Sequence, residues 1–317
     1  MDYILITVFL FCFELFYFKI ADRYNIIDKP NHRSSHSTIT IRGGGIIFPI
    51  AILIAFGLGY TSWLLALSVV LVAVVSFIDD IKPMHQLPRF GSQIVAFLLI
   101  SYDLNLLGFA LWVLPIVFVL LVGWVNIFNF MDGINGIAVL YAIAAIVSFS
   151  LLPSNEANLP LLFTVGISCL IFAFFNVRKI AKTFAGDVGS ISLALFLGYF
   201  MLKTIIDTGQ IYYLLFFSIY GIDAGITILF RIKKKENIFE AHRSHLYQYL
   251  ANECGHSHIL IAVVYMLIQL LVNSLIIYLN YQGFLNIYSS LLIFLFQVIF
   301  YLAFRRKILN SLTLKNN

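Results

Sequence analysis

Residues 184–204 read FAGDVGSISLALFLGYFMLKT, in which a carboxylate set between glycines, Asp187, opens onto a run that carries no charge before Lys203. An acid at a helix centre in a bilayer costs roughly 2.5–3.5 kcal/mol on insertion scales unless it meets water, a metal or a counter-charge. The apolar run is therefore read as a membrane span, and Asp187 as a functional candidate at its mouth. Three further polar clusters flank apolar segments in the same way: Asp79-Asp80, the run from Asn126 to Gly136, and His242-Arg243-Ser244-His245.

The surrounding chain explains why such clusters stand out. Of its 317 residues, 61% are hydrophobic and 11% charged, against about 45–50% and about 25% in soluble domains. Stretches long enough to cross a bilayer as helices fall at 2–20, 44–60, 62–78, 91–108, 110–128, 136–152, 159–176, 188–204, 211–230, 259–279 and 287–304. The expected fold is an all-α integral membrane protein, a polytopic bundle of about 10–11 transmembrane helices forming one domain over residues 1–317. The alternating short strands of a membrane barrel are absent from the pattern. Basic residues gather in alternate loops, at Arg23 to Arg42, Lys82 and Arg89, Arg178 to Lys182, Arg231 to Arg243, and Arg305 to Lys307. The positive-inside rule makes those loops cytoplasmic, with the N-terminus outside, the C-terminus inside and all four polar clusters on the cytoplasmic face. This topology accounts for the net charge of +5, so no nucleic-acid partner is implied. The first twenty residues lack a cationic start and a cleavage site and read as a retained helix. Cys12, Cys169 and Cys254 do not make a disulfide framework.

Each cluster has a chemical and a structural reading. In the first cytoplasmic loop, Asp28 to His36 leads to Arg42-Gly43-Gly44-Gly45, and a glycine run before a helix can offer free N–H groups to a phosphate; otherwise it is a basic anchor with a flexible turn. Asp79 and Asp80 end the third span about 100° apart, so different roles are expected, one facing a reacting centre and the other holding a base such as Lys82. As caps they would oppose the helix dipole. Asn126, Asn129 and Asp132 form a helical stripe in which Asn129 and Asp132 present a neutral and a charged oxygen to a hard cation such as Mg²⁺, while Asn126 serves equally well in helix packing. Asp187 suits a metal-bound phosphate or an N-cap. His242 and His245, with Arg243 between them, suit an anion better than zinc, since no glutamate or cysteine pair accompanies them. His85, His256 and His258 read as ordinary loop residues, and Glu14 and Asp223 within spans are left undecided.

Taken in order, Asp79-Asp80, Asn-x-x-Asn-x-x-Asp-Gly-x-x-Gly from Asn126, Phe-x-Gly-Asp-x-Gly-Ser from Phe184 and the late histidine loop resemble the polyprenyl-phosphate N-acetylhexosamine-1-phosphate transferase superfamily, from Asp28 to Gln248. The late loop has His-Arg-Ser-His where the peptidoglycan branch carries three consecutive histidines, and so looks closer to the enzymes that initiate O-antigen, capsule or teichoic-type glycans. The resemblance implies that a UDP-N-acetylaminosugar (UDP-GlcNAc or a 6-deoxy relative) reacts with undecaprenyl phosphate at the cytoplasmic face of the bacterial inner membrane, releasing UMP. It implies Mg²⁺, with Mn²⁺ as a substitute, on Asp187 and Asn129. It gives Asp79 the activation of the lipid phosphate, Asp80 the ordering of the site and Asp132 the nucleotide pocket. His36, Arg42, Lys82, Asn126, His242, Arg243 and His245 would bind substrate, and a homodimer is compatible with it. Two other classes compete: a transporter, whose sites lie near the midplane, and an aspartate-rich intramembrane prenyltransferase, for which Asp79-Asp80 lacks a third acid.

Overall fold

The structure, a computed structural model, describes residues 2–30, 35, 38–237 and 243–316. It is almost wholly helical, and each of the eleven expected spans coincides with a helix. In chain order these are α1 (Asp2–Tyr24), α2 (Ile47–Gly57, entered through a 3-10 turn at Gly44–Ile46), α3 (Trp63–Ile81), α4 (Gln86–Asp103), α5 (Val113–Met131), α6 (Ile137–Ser150), α7 (Leu159–Asn176), α8 (Gly186–Thr208) and α9 (Ser218–Lys233, preceded by a 3-10 segment from Ile211). A short α10 (Leu246–Gln248) and a wide turn over Tyr249–Glu253 lead to α11 (His258–Tyr281) and α12 (Ile287–Asn316). Among the described residues, eight helical stretches are long and apolar enough to cross a membrane, and Gly44–Gly57 and Ile137–Ser150 are shorter apolar helices. The protein is a multi-pass membrane protein. The remaining helix, α4, carries Arg89 and Gln93 in its first half; Arg89 reaches the site described below, while Gln93 packs against Asn126 of α5.

Burial ranks the helices. α8 is apolar all round and sits at the centre, packed against α2, α3, α5 and α6, as a helix without a polar face must. α12 lies at the edge, with Phe296, Phe300 and Phe304 exposed on its surface. Small residues let the inner helices approach: a Cβ on Gly198 of α8 would lie 2.4 Å from Leu121 of α5, and beside it Trp124 Nε1 donates to Ala194 O at 2.9 Å. Polar side chains within the bundle satisfy one another. Tyr141 of α6 donates to Gln269 of α11 at 2.6 Å, Gln269 donates to Asn273, and Asn273 donates to Ser148 of α6 at 2.8 Å. Interhelical hydrogen bonds of this kind contribute about 0.6 kcal/mol each on average in membranes, so packing carries most of the stability.

Candidate active site

The connections at one end of α2, α3, α5, α8 and α11 assemble around the Gly-Asp turn. A two-residue hairpin, β1 (Ile27–Asp28) against β2 (Thr40–Ile41), lays the first loop beside the α7–α8 connection: Phe184 N–H donates to Ile41 O at 2.8 Å, Gly44 N–H to Phe184 O at 3.0 Å and Gly45 N–H to Ala185 O at 3.1 Å. Two of the N–H groups that this glycine run was expected to offer a phosphate, those of Gly44 and Gly45, are thus committed to backbone pairing. What the glycines supply is proximity. A Cβ on Gly45 would stand 2.3 Å from Gly189 Cα, and Gly186, at φ +69°, would place one 2.5 Å from Asp80 Oδ2.

That contact follows from the role Asp80 plays. Its carboxylate, fully buried, accepts the N–H groups of Asp187 and Val188, each at 2.9 Å, and Arg42 Nε at 2.7 Å. The acid at the end of α3 therefore caps the start of α8, where the helix dipole favours it. Asp79 turns the other way, as adjacent helical positions must. It accepts Met84 N–H at 2.6 Å and Arg89 Nη1 at 3.1 Å, and the same guanidinium reaches Asp187 through Nη2 at 2.8 Å. The bases that answer the two carboxylates are Arg42 and Arg89, not Lys82, which is exposed at the C-terminal end of α3. Arg89 entered the sequence reading only as a topology marker; its signal was its place ten residues after Asp79, in the first turn of α4.

Asp187, Asp132, Asn129 and Arg42 line one cavity of about 420 Å³, together with Asp28 and Asn176. Asn176 fixes the Asp-Gly loop by accepting Gly136 N–H at 2.7 Å and donating to Thr183 O at 2.8 Å. Asp132 follows the last residue of α5 and is half-buried; burial, and then the charges of Asp187 and Asp80, push its carboxyl up to about 7. The oxygens of Asp28, Asp132, Asp187 and Asn129, the carboxylates repelling one another, fit a hard cation. Among the described residues no three His, Cys, Asp or Glu side chains form a complete cage. The fit is therefore to an ion such as Mg²⁺, which takes one or two carboxylates and fills its sphere with phosphate oxygens and water.

Other expected residues are not brought here. Asn126 donates to Val122 O at 2.8 Å and to Gln93 at 3.4 Å, so it packs α5 on α4, a turn away from the cavity. His245 is buried, with Nδ1 3.4 Å from Asp223 and its ring stacked on Tyr247; it starts α10 and does not face the cavity as a diphosphate ligand would. Arg243 is half-buried and absent from the cavity lining. His36 and His242 lie outside the described residues. In their place the late loop delivers Gln248, and the start of α11 delivers His258, which accepts Asn135 N–H through Nδ1 at 3.4 Å. His258, read from sequence as an ordinary loop residue, is part of the wall, and nothing in its local sequence marks it.

Residues 62–205 match the model of glycosyl transferase family 4, a span that contains Asp79, Asp80, Asn129, Asp132 and Asp187. The chain is 26% identical over 260 residues, 73% of its length and 71% of the relative's, to a probable undecaprenyl-phosphate N-acetylglucosaminyl 1-phosphate transferase of Bacillus subtilis. It is 27% identical over 193 residues to the phospho-N-acetylmuramoyl-pentapeptide-transferase of Heliobacterium modesticaldum, covering 51% of this chain and 59% of that one. To the protein of the same name from Streptococcus suis it is 30% identical over 196 residues, 52% of this chain and 59% of the relative's. The matched region spans about three fifths of the length of these last two relatives.

Proposed function

We propose, for a chain that belongs to the polyprenyl-phosphate sugar-1-phosphate transferase superfamily through its glycosyl transferase family 4 region, that it transfers an N-acetylaminosugar 1-phosphate from a UDP-sugar to undecaprenyl phosphate. An oxygen of the lipid phosphate bonds to the β-phosphorus of the UDP-sugar, the bond from that phosphorus to the bridging oxygen breaks, and UMP leaves with the electron pair. The observation that carries this reading is the meeting of Asp187, Asp132 and Arg42 on one cavity at the ends of membrane helices. Carboxylates that could hold a divalent cation, beside a guanidinium, suit a pair of repelling phosphates better than a conduction path, which would run through the midplane.

In this mechanism Asp187 and Asp132, with Asn129 beside them, would hold a Mg²⁺ ion, or Mn²⁺ in its place, and the chemistry such an ion would supply is neutralisation of phosphate charge. Arg42, held by Asp80 and with Nη2 3.9 Å from Asp187, contributes a fixed positive charge. Asp80 keeps Asp187 in place by holding its N–H and that of Val188. The resemblance gives Asp79 the activation of the lipid phosphate; its hydrogen bonds to Met84 N–H and Arg89 Nη1 support a further role, orienting Arg89 toward Asp187, and it is this role that the mechanism takes. A lipid phosphate that is already anionic needs alignment more than it needs a base.

The positions of the basic loops support a cytoplasmic site and an outside N-terminus, and the family resemblance supports residence in the bacterial inner membrane. UDP-GlcNAc is the first donor to test, with a UDP-N-acetylated 6-deoxyhexosamine as the second. The glycan initiated is of O-antigen or capsule type, a reading supported by the absence of a three-histidine run in the late loop. Membranes containing the protein, incubated with undecaprenyl phosphate and each UDP-sugar in turn, should release UMP and form a lipid-linked sugar only with Mg²⁺ or Mn²⁺ present. Absence of UMP release across the whole panel would overturn the reading.

A further inference from the structure

Asp79, Asp80 and Asp187 are each held by a guanidinium, that of Arg89 or Arg42. Asp132 is placed differently. Its carboxylate accepts no hydrogen bond and makes no ion pair among the described residues, so its position is set by its backbone, in the break between α5 and α6.

That break is braced at both ends. On the α6 side Asn176 accepts Gly136 N–H at 2.7 Å. On the α5 side the brace is Tyr247. The last carbonyls of a helix have no partner within it; here Asn129 O takes Asp132 N–H at 3.1 Å, and Phe130 O takes the Tyr247 hydroxyl at 3.0 Å. The same hydroxyl abuts Gly133, where a Cβ would lie 2.3 Å from Tyr247 Oη and 3.2 Å from its Cζ. Gly133 lacks the positive φ of Gly136, so the hydroxyl, and not the backbone conformation, is what demands a glycine there. One phenol oxygen therefore touches Phe130 and Gly133, on either side of Asp132.

The ring is in no position to give way. Tyr247 is fully buried, stacked on His245 with centroids 5.7 Å apart and edge-on to Tyr265 at 6.4 Å. Leu246 N–H, next to it in the chain, and Tyr265 OH both end on Asp223, which ties the tyrosine to α9 and α11. We propose that Tyr247 is a positioning residue of the cation site: its hydroxyl, wedged under the α5–α6 break, sets where the Asp132 carboxylate stands relative to Asp187. This rests on the reading of Asp132 and Asp187 as ligands of a divalent cation, and it gives the late loop a part in the geometry of that site.

Mn²⁺ binding to the detergent-purified full chain, read from the paramagnetic resonance signal of the free ion, tests this without turnover. Tyr247→Phe keeps the ring and removes the hydroxyl; it should bind Mn²⁺ about tenfold more weakly, the low end of the range seen when an outer-shell partner is lost. In an Asp132→Asn background the same change should cost less than about twofold, because the ligand it positions is gone. Gly133→Ala should weaken Mn²⁺ binding about tenfold on its own, and less than about threefold once Tyr247→Phe has cleared the 2.3 Å contact. In turnover, Tyr247→Phe should raise the half-saturating Mg²⁺ by a like factor while kcat at saturating Mg²⁺ and the KM for UDP-sugar stay near wild type, a split that general loss of stability does not produce.

Unchanged Mn²⁺ affinity in Tyr247→Phe would overturn the proposal, and so would an equal loss in the Asp132→Asn background, which would show the hydroxyl acting on another group. Should Tyr247→Phe melt too early to assay, Gly133→Ala carries the test, and wild-type Mn²⁺ affinity there would overturn it as well. A set of variants showing these Mn²⁺ effects in a protein that releases no UMP from any UDP-sugar would sink the transfer reaction while upholding the role of Tyr247. UMP release by the wild type beside a Tyr247→Phe chain of unchanged Mn²⁺ affinity would do the reverse.

Discussion

Asp80 accepts the backbone N–H of Asp187 at 2.9 Å across 107 residues of sequence, so the acid that ends α3 sets the position of the acid that begins α8. Asp80→Ala should therefore lower stability and activity together. It leaves the partly exposed Arg42 without its 2.7 Å partner and the N–H groups of Asp187 and Val188 unmet; leaving a buried donor unsatisfied costs about 1–3 kcal/mol. Thermal unfolding in detergent would measure the first effect and UMP release the second. A variant with wild-type melting and abolished turnover would move Asp80 from positioning into the chemistry.

The glycine pair Gly45 and Gly189 gives a steric prediction. Gly45→Ala should abolish activity and lower the melting temperature, since its Cβ would lie 2.3 Å from Gly189 Cα and 2.7 Å from Ala185 O. Overpacking typically costs about 1–3 kcal/mol. Gly57→Ala on the same helix meets nothing within 4 Å and should behave as wild type in the same two measurements.

The Asp132 carboxyl, at about 7 in the metal-free protein, links pH to metal. Its ordinary value is ~3.9, so between roughly pH 4 and 7 the folded state holds a proton that the unfolded state has released. Stability of the metal-free protein should fall as pH rises through that window and level off above it. Mg²⁺ displaces the proton, so its affinity should rise with pH up to about 7, by at most tenfold per unit for one proton released. Melting temperature against pH, with and without Mg²⁺, checks both signs, and Asp132→Asn should flatten the two curves.

The parts legible in sequence were those written in composition and short spacing. Eleven apolar runs gave eleven helices because a span must satisfy its backbone internally and so needs no distant partner. Asp187, Asn129 and Asp132 were marked because a carboxylate or amide at a span mouth is costly without a reason. The errors share another cause. Arg89, Asn176 and His258 reach the site from other helix ends, and Asn126, Lys82 and His245 leave it, all through side-chain directions that local spacing does not encode. His245 is the clearest case: its neighbours suggested anion binding, yet its partner, Asp223, is 22 positions away in α9.

Asp223 is the centre of the anchor that holds the late loop. It accepts Tyr265 OH at 2.6 Å, Tyr301 OH at 3.0 Å and Leu246 N–H at 3.1 Å, while Arg305 donates to Tyr301 at 2.8 Å and to Ser244 O at 2.8 Å. Arg305→Met keeps the stem and removes these bonds. It should destabilise by about 1–3 kcal/mol and raise the KM for UDP-sugar more than it lowers kcat, because the same loop carries Gln248 to the cavity wall. Proteolysis within residues 238–256, followed by gel, would report the loosened anchor; unchanged cleavage would show that Arg305 does not hold the loop.

Asp79 and Arg89 provide the sharpest test of the mechanism. If Asp79 acts by orienting Arg89, whose other arm contacts Asp187 at 2.8 Å, then Asp79→Asn and Arg89→Gln remove the same function, and the double variant should be little worse than either single one. A base acting independently would instead make the losses multiply, and general-base assistance is typically worth about 10²–10⁴ in rate. The two roles also differ in pH response: a missing base is partly rescued as rising pH ionises the lipid phosphate, whereas a misplaced guanidinium is not. The expected result is a coupling of about 1–3 kcal/mol between the two positions and parallel kcat profiles against pH for wild type and Asp79→Asn. Additive losses together with recovery at high pH would return Asp79 to the role of base and reduce Arg89 to a surface cation.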